Sequence, residues 1–259
     1  MATGAQRAAE RARRVERAHA LQLERTRVAR GAGGPSVEVA GGLAVCHGTR
    51  SPFSAAVGVG LGAAVDAADV DRIEAHLGVG GGPVRVEVTP WTDASLTEEL
   101  GRRGYQLERL FLVWVRGPSA DLAPASARPA GPGDEAAWAD VFAQVFLGAP
   151  ARSESQRDAI ACVARAEGNV PWILHVDGRA AGVALSSSEG GVALLSGAGV
   201  LPAFRGRALQ ADLVRARLAW AGAAGCDLVA SVTEPATASH RTLEACGFRT
   251  AYPKAVLVR

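Results

Sequence analysis

The chain has 259 residues, 48% apolar and 21% charged, with a formal net charge of +2. That is enough apolar content for one large or two small soluble domains, and too little net charge for a nucleic-acid-binding body. Eight Arg against three Glu in residues 1–30 make the start basic and leave the remainder slightly acidic. Cys46, Cys162, Cys226 and Cys246 are widely spaced, with no Cys-x-x-Cys pair and no adjoining histidine cluster. This argues against a zinc site or a disulfide framework and for a reducing cytoplasm, with no metal expected. The charged N-terminus lacks the apolar segment of a signal peptide. The longest apolar stretch, Pro52 to Val65, is too short and glycine-rich to span a bilayer. A cytoplasmic protein without a membrane partner is expected.

Residues 5–30 are good helix formers with interleaved Arg and Glu and a thin apolar stripe. They read as an exposed helix docking weakly on the body, or alternatively as an arm for a partner or nucleic acid. From Val37 short β segments follow. Ala67 to Leu77 then has helical period, with Asp66 placed to cap it. After a glycine run come the strand VRVEVTP, a short helix from Ser95 to Arg103, and the strand YQLERLFLVWVR. The stretch Gly117 to Asp134 is rich in Pro, Ala and Gly and reads as a linker plus a first strand near Ala127-Arg128-Pro129. Helices are expected at Asp134 to Phe146 and Ser153 to Glu167. Next come a hairpin turning at Asp177-Gly178, the strand VALLSGAGV, a loop and a long helix to Gly225. The strand CDLVASVT, a helix from Ser239 to Ala245 and a final strand close the chain.

The two halves end alike. Leu100 to Arg116 matches Leu243 to Arg259 at an offset of 143 residues, with Gly104-Tyr105 falling on Gly247-Phe248. The strand Val84 to Val88 falls on Asp227 to Ser231 at the same offset. An internal duplication is the economical reading, with chance likeness of two βαβ units as the alternative. The copies differ after Gly58-Val59-Gly60-Leu61 in the first and the strand VALLSGAGV in the second. The first continues GAAVDAAD, without arginine and with an acidic helix start. The second runs through Pro202 into Arg205-Gly206-Arg207-Ala208-Leu209-Gln210 and a helix. Such a loop offers unpaired N–H groups and a positive helix end to an anion. Arg205 and Arg207 add charge, and Gly206 allows close approach. A diphosphate site is expected in the second half, and none in the first.

Strand, Val200-x-Pro202-x-x-Arg205-Gly206-Arg207-Ala208, long helix, strand, short helix ending in Cys246-Gly247-Phe248, final strand: this resembles the GNAT superfamily of acyl-CoA-dependent N-acyltransferases, in a tandem form with a degenerate N-terminal half. The resemblance covers about Ala127 to Arg259 and extends weakly over Val37 to Arg116. It implies an α/β fold of two GNAT-like halves. Each would be a mixed, mostly antiparallel sheet flanked by helices, splayed in the C-terminal half between the strands ending at Val200 and near Thr233. Expected domains are a basic helix at 1–30, a degenerate half at 31–118, a linker at 119–126 and an acyltransferase domain at 127–259.

The resemblance implies acetyl-CoA, or another acyl-CoA, as cosubstrate, with its diphosphate on Arg205 to Gln210. The strand edge at Ala198, Gly199 and Val200 would pair with the pantetheine and polarise the thioester. Gln210 replaces a glycine-like position, where its amide can bond the diphosphate or its bulk can crowd it. The family's Asn and its proton-donating Tyr fall on Ala236 and Leu243, so the usual acid is absent. Ser239, His240, Thr242 and Tyr252 are candidate substitutes, with water sufficient for a thiolate leaving group. Ser196 stands where a base is often placed, and Glu234 is the nearest carboxylate. His175 reads as a packed strand residue or an acceptor-site group, and Glu189 as surface. The expected partner is a small-molecule amine, with a homodimer left open. A CoA-binding module without turnover, and an acyltransferase using another acyl donor or a non-amine acceptor, are the alternatives.

Overall fold

The computed structural model describes residues 3–48, 51–119 and 126–259. The expected linker at 119–126 lies outside them, apart from Ser119 and Ser126. In chain order the elements are α1 (Gly4–Arg30), β1 (Val37–Val39), β2 (Gly42–Val45), β3 (Ala55–Val57), α2 (Ala67–Leu77), β4 (Arg85–Val88), α3 (Ala94–Arg102) and β5 (Gln106–Arg116). Then come β6 (Ala127–Pro129), α4 (Glu135–Leu147), α5 (Glu154–Arg165), β7 (Asn169–Val176), β8 (Arg179–Glu189) and β9 (Val192–Val200). The chain closes with α6 (Leu209–Ala223), β10 (Leu228–Thr233), α7 (Ala238–Ala245) and β11 (Arg249–Val258). The fold is mixed α/β, as the sequence leads one to expect.

Two compact units form: Met1–Val113 with Thr250–Arg259, and Trp114–Arg249. This differs from a cut near residue 118, because the closing strand groups with the first half of the chain. The first unit orders its strands β1-β2-β3-β4-β11-β5. In it, β11 runs antiparallel to β4, with Ala255 opposite Val88 and Val258 opposite Arg85. Ile73 of α2 and Leu96 and Leu100 of α3 are fully buried beneath these strands. Each such side chain contributes about 1.5–3 kcal/mol.

The basic N-terminal helix is part of this unit, not a weakly attached arm. Thr3 caps it, and Ala12, Val15, Glu16, Ala18 and Ala20 are buried. Glu16 explains why the stripe looked thin. Its carboxylate lies 2.7 Å from Lys254 Nζ, which also lies 2.8 Å from Glu87. The Tyr252 hydroxyl donates to Glu16 Oε1 at 2.7 Å. Burial opposes charge on Lys254, yet Glu16 and Glu87 overcome it and raise its pKa. Glu16, His19 and Glu87 cluster as metal ligands can, with the lysine ammonium bound to all three.

The second unit orders its strands β10-β9-β8-β7-β6. Trp138, Ile173 and Val183 fill one side, and Trp172, Phe204 and Leu213 the other. The β7–β8 hairpin turns at Asp177-Gly178, both with positive φ, which Gly and Asp adopt more readily than most residues. Among the described residues no helix is long and apolar enough to cross a membrane.

Candidate active site

The site grows from the way β9 leaves its neighbours. On one side β9 pairs parallel with β10 from Val192↔Leu228 to Leu195↔Ser231, and the register stops there. The Ser231 hydroxyl closes that last rung by donating to the Leu195 carbonyl at 2.7 Å. On the other side β9 stays paired with β8 to Gly182↔Val200, with a register shift between Val183 and Leu185. Ser196 faces Leu185 and Gly199 faces Val183, so β9 carries the extra residue of a bulge. Gly197 supplies the positive φ of 53° within it. The end of β9 therefore diverges from β10, as expected, and the bulge adds a re-aiming step that the sequence alone does not reveal.

Past β9, Pro202 to Phe204 make one tight turn, and the Arg205 Nε donates to the Val200 carbonyl at 3.3 Å. Gly206 has φ 78°, and Ala208, the N-cap of α6, has φ 56° with no side-chain cap. Left-handed backbone at an alanine costs about 1–2 kcal/mol, and it turns the chain so that the following amides head α6. Among the described residues, the backbone N–H groups of Gly206, Arg207, Ala208, Leu209 and Gln210 find no protein acceptor. With the helix dipole behind them they form an anion cradle.

A cleft of about 560 Å³ opens beside this loop. Ala198, Gly199, Val200, Arg205, Gly206, Ala208, Leu209 and Gln210 line it, together with Val145, Phe204 and the start of α7. Gly199 is required there, since a Cβ would stand 2.2 Å from a Val145 methyl. Thr237 caps α7 by accepting from His240 N, and Thr237, Ala238, Ser239 and Thr242 face the cleft. Eight of the nine residues expected to grip the cosubstrate thus meet at one cavity. The ninth, Arg207, lies with its guanidinium 5.9 Å from the Phe204 ring centroid. Arg179, from the β7–β8 turn, sits 5.5 Å from the same ring.

The four catalytic candidates fare differently. Ser239 lines the cleft and is half-buried. Ser196 does not line it; its carbonyl accepts from Arg217 on α6. Glu234 is exposed beyond the end of β10. Tyr252 belongs to the first unit, buried against Glu16, and both burial and that carboxylate raise its pKa. It is a packing residue of that unit, not a donor at this cleft. His240 packs edge-on against Trp114 at 4.7 Å, and its Nε2 lies 3.4 Å from Glu244. Trp138 and Trp172 are core residues, while Phe146 is exposed. Sequence reasoning missed Phe204, Val145, Thr237 and Arg179. Only Thr237 carried a legible signal, a threonine three residues ahead of His240 at a helix start.

These features have known counterparts. Residues 136–248 match the acetyltransferase (GNAT) family. The second unit is a GNAT domain. No curated protein matches the chain. Among solved structures, a GCN5-related N-acetyltransferase from Kribbella flavida is similar in fold over 95% of this chain and 95% of that chain, with a TM-score of 0.68 at 15% identity. A GCN5-related N-acetyltransferase from Sphaerobacter thermophilus matches 74% of this chain and 64% of its own, with a TM-score of 0.54 at 18% identity. A tandem GNAT protein from the clavulanic acid biosynthesis pathway matches 68% of this chain and 63% of its own, with a TM-score of 0.52 at 15% identity. The chain thus spans just under two thirds of the latter two proteins. The cleft beside the Arg205–Gln210 loop lies in the GNAT domain, and the first unit's stretch from Gly58 to Asp66 carries no arginine.

Proposed function

We propose that the GNAT domain transfers an acyl group, most simply acetyl, from acyl-CoA to a small-molecule amine in a ternary complex in the cytoplasm. The observation that carries this reading is the row of five unpaired amides from Gly206 to Gln210, set at the mouth of a cleft whose other wall is the free edge of β9. The amides suit a diphosphate, and Arg207 and Arg179 on Phe204 add positive charge beside it. The edge from Ala198 to Val200 suits an extended amide-bearing arm. A backbone N–H there would receive the negative charge that develops on the carbonyl oxygen when the amine attacks. The new C–N bond forms as the C–S bond breaks, and the thiolate takes up a proton. Ser239, the one of the four catalytic candidates that lines the cleft, would supply that proton, and water serves as base for the amine. Orientation within the cleft contributes most of the acceleration.

Calorimetric titration with acetyl-CoA and CoA, followed by thiol release across a panel of amines, tests this. Binding at one site per chain with amine-dependent thiol release is the expected result, and a flat titration overturns it. One observation favours a second reading, a CoA-binding or sensing module. Among the described residues lining the cleft there is no Asp, Glu, His, Cys, Tyr or Lys. Tight CoA binding without thiol release for any acyl donor or acceptor would select that alternative.

A further inference from the structure

Arg217 is a cation in a place where few cations are found. It lies in the middle of α6, is 2% exposed, and burial lowers its pKa to about 9. No ion pair to a carboxylate is recorded for it among the described residues. Its Nε donates to the Leu213 carbonyl at 2.8 Å, one turn back on the same helix. Its Nη1 donates at 3.3 Å to the carbonyls of Leu185 and Ser196. Those two residues face each other across β8 and β9 at the point where the register shifts. A methionine would fill similar space without desolvating a charge, and such replacements of buried ions are often neutral or stabilising. What the guanidinium does supply is a donor to three backbone carbonyls. A bulge turns backbone groups out of the ladder, and here one planar donor gathers a carbonyl from each strand.

We propose that Arg217 is a positioning residue. By tying Leu185 and Ser196 to α6 it holds the bulge, and the bulge sets the direction of the free edge from Ala198 to Val200. This rests on the acyl-CoA reading above, in which that edge pairs with the pantetheine arm. The diphosphate loop lies at the N-terminus of the same helix, and among the described residues the guanidinium's hydrogen bonds go to Leu213, Leu185 and Ser196 and not to that loop.

Arg217→Met and Arg217→Lys, made in the full chain, separate the two parts of the ligand. The probes are acetyl-CoA, which spans loop and edge, and adenosine 3′,5′-bisphosphate, which carries no pantetheine. Loss of hydrogen bonds from a buried charged donor predicts that Arg217→Met weakens acetyl-CoA binding about tenfold and raises its KM to match. Adenosine 3′,5′-bisphosphate should bind within about twofold of wild type. Arg217→Lys, which keeps one donor, should recover part of the loss. Amide hydrogen exchange without ligand should quicken at residues 196–200 in Arg217→Met, while residues 192–195 stay protected. Equal loss of both ligands, no change in either, or unaltered exchange at 196–200 each overturns the assignment. If wild-type protein binds neither probe, the acyl-CoA reading fails, and the exchange result still decides whether Arg217 holds the bulge.

Discussion

An offset of 143 residues carries Arg85, the start of β4, onto Leu228, the start of β10, and Gln106, the start of β5, onto Arg249, the start of β11. The same offset sets the loop after β3 against the loop after β9, and these two loops have opposite fates. In the first unit, Asp93 N donates to the Gly60 carbonyl at 2.9 Å, and Val65 N donates to the Ser95 hydroxyl at 2.8 Å. The beginning of α3 thus reaches the loop and uses its polar groups. Asp66 then caps α2, accepting from Asp69 N, so a protein carboxylate already sits at that helix end. In the second unit, α6 has no side-chain cap, and the start of α7 stands across a cleft from the loop. A carboxylate disfavours an anion at the first helix start, and bare amides favour one at the second.

The largest effect is expected at the first unit's internal charge cluster. Lys254→Met leaves Glu16 and Glu87 buried without their cation, which should cost roughly 3–5 kcal/mol of stability. Chemical denaturation measures it, and a loss below about 1 kcal/mol would mean that the cluster is not a structural centre. The pH dependence has a definite sign. Burial opposes charge on Glu87, but Lys254 lowers its pKa below the ordinary 4.5. Its contribution is therefore complete above that value and disappears as pH falls through the lowered one. Lys254→Met should flatten this acid limb.

A smaller loss tests the loops directly. Leu209, which the offset sets against Asp66, is the first residue of α6, so Leu209→Asp places a carboxylate at the second unit's bare helix start. The new carboxylate should occupy the free amides and repel a diphosphate, weakening acetyl-CoA binding on the order of 100-fold. Unchanged affinity in calorimetry would break the comparison. The smallest effect concerns the strained cap. Ala208→Gly relieves left-handed alanine but loosens the unfolded chain, for a net gain under about 1 kcal/mol. The thermal midpoint should rise slightly with acetyl-CoA affinity unchanged. A fall in stability would show that the αL turn is not strained.

Local chemistry was legible in the sequence. The span Ala67–Leu77 and its Asp66 cap could be read directly, as could the Asp177-Gly178 turn and the strand–loop–helix that ends in free amides. Each depends on neighbours within a few residues. Tyr252, by contrast, looked available because its partner, Glu16, stands 236 residues away. The N-terminal helix looked superficial for the same reason, since a buried glutamate breaks an apolar stripe until its lysine is known. Phe204 was hidden inside a motif read for its arginines, although its ring lines the cleft and carries two guanidinium groups. Arg217 gave no signal at all, because a mid-helix arginine ordinarily points to water.

The closing strand sets an order on the birth of the molecule. β11 lies between β4 and β5 in the first unit's sheet, and Lys254 within it neutralises Glu16 and Glu87. During synthesis Glu16 is made well before Lys254, so α1 waits for β11 before its acid can be neutralised. The GNAT domain, with residues 114–249, is by then fully translated. The unit built from residues 1–113 and 250–259 is thus begun before that domain and finished after it.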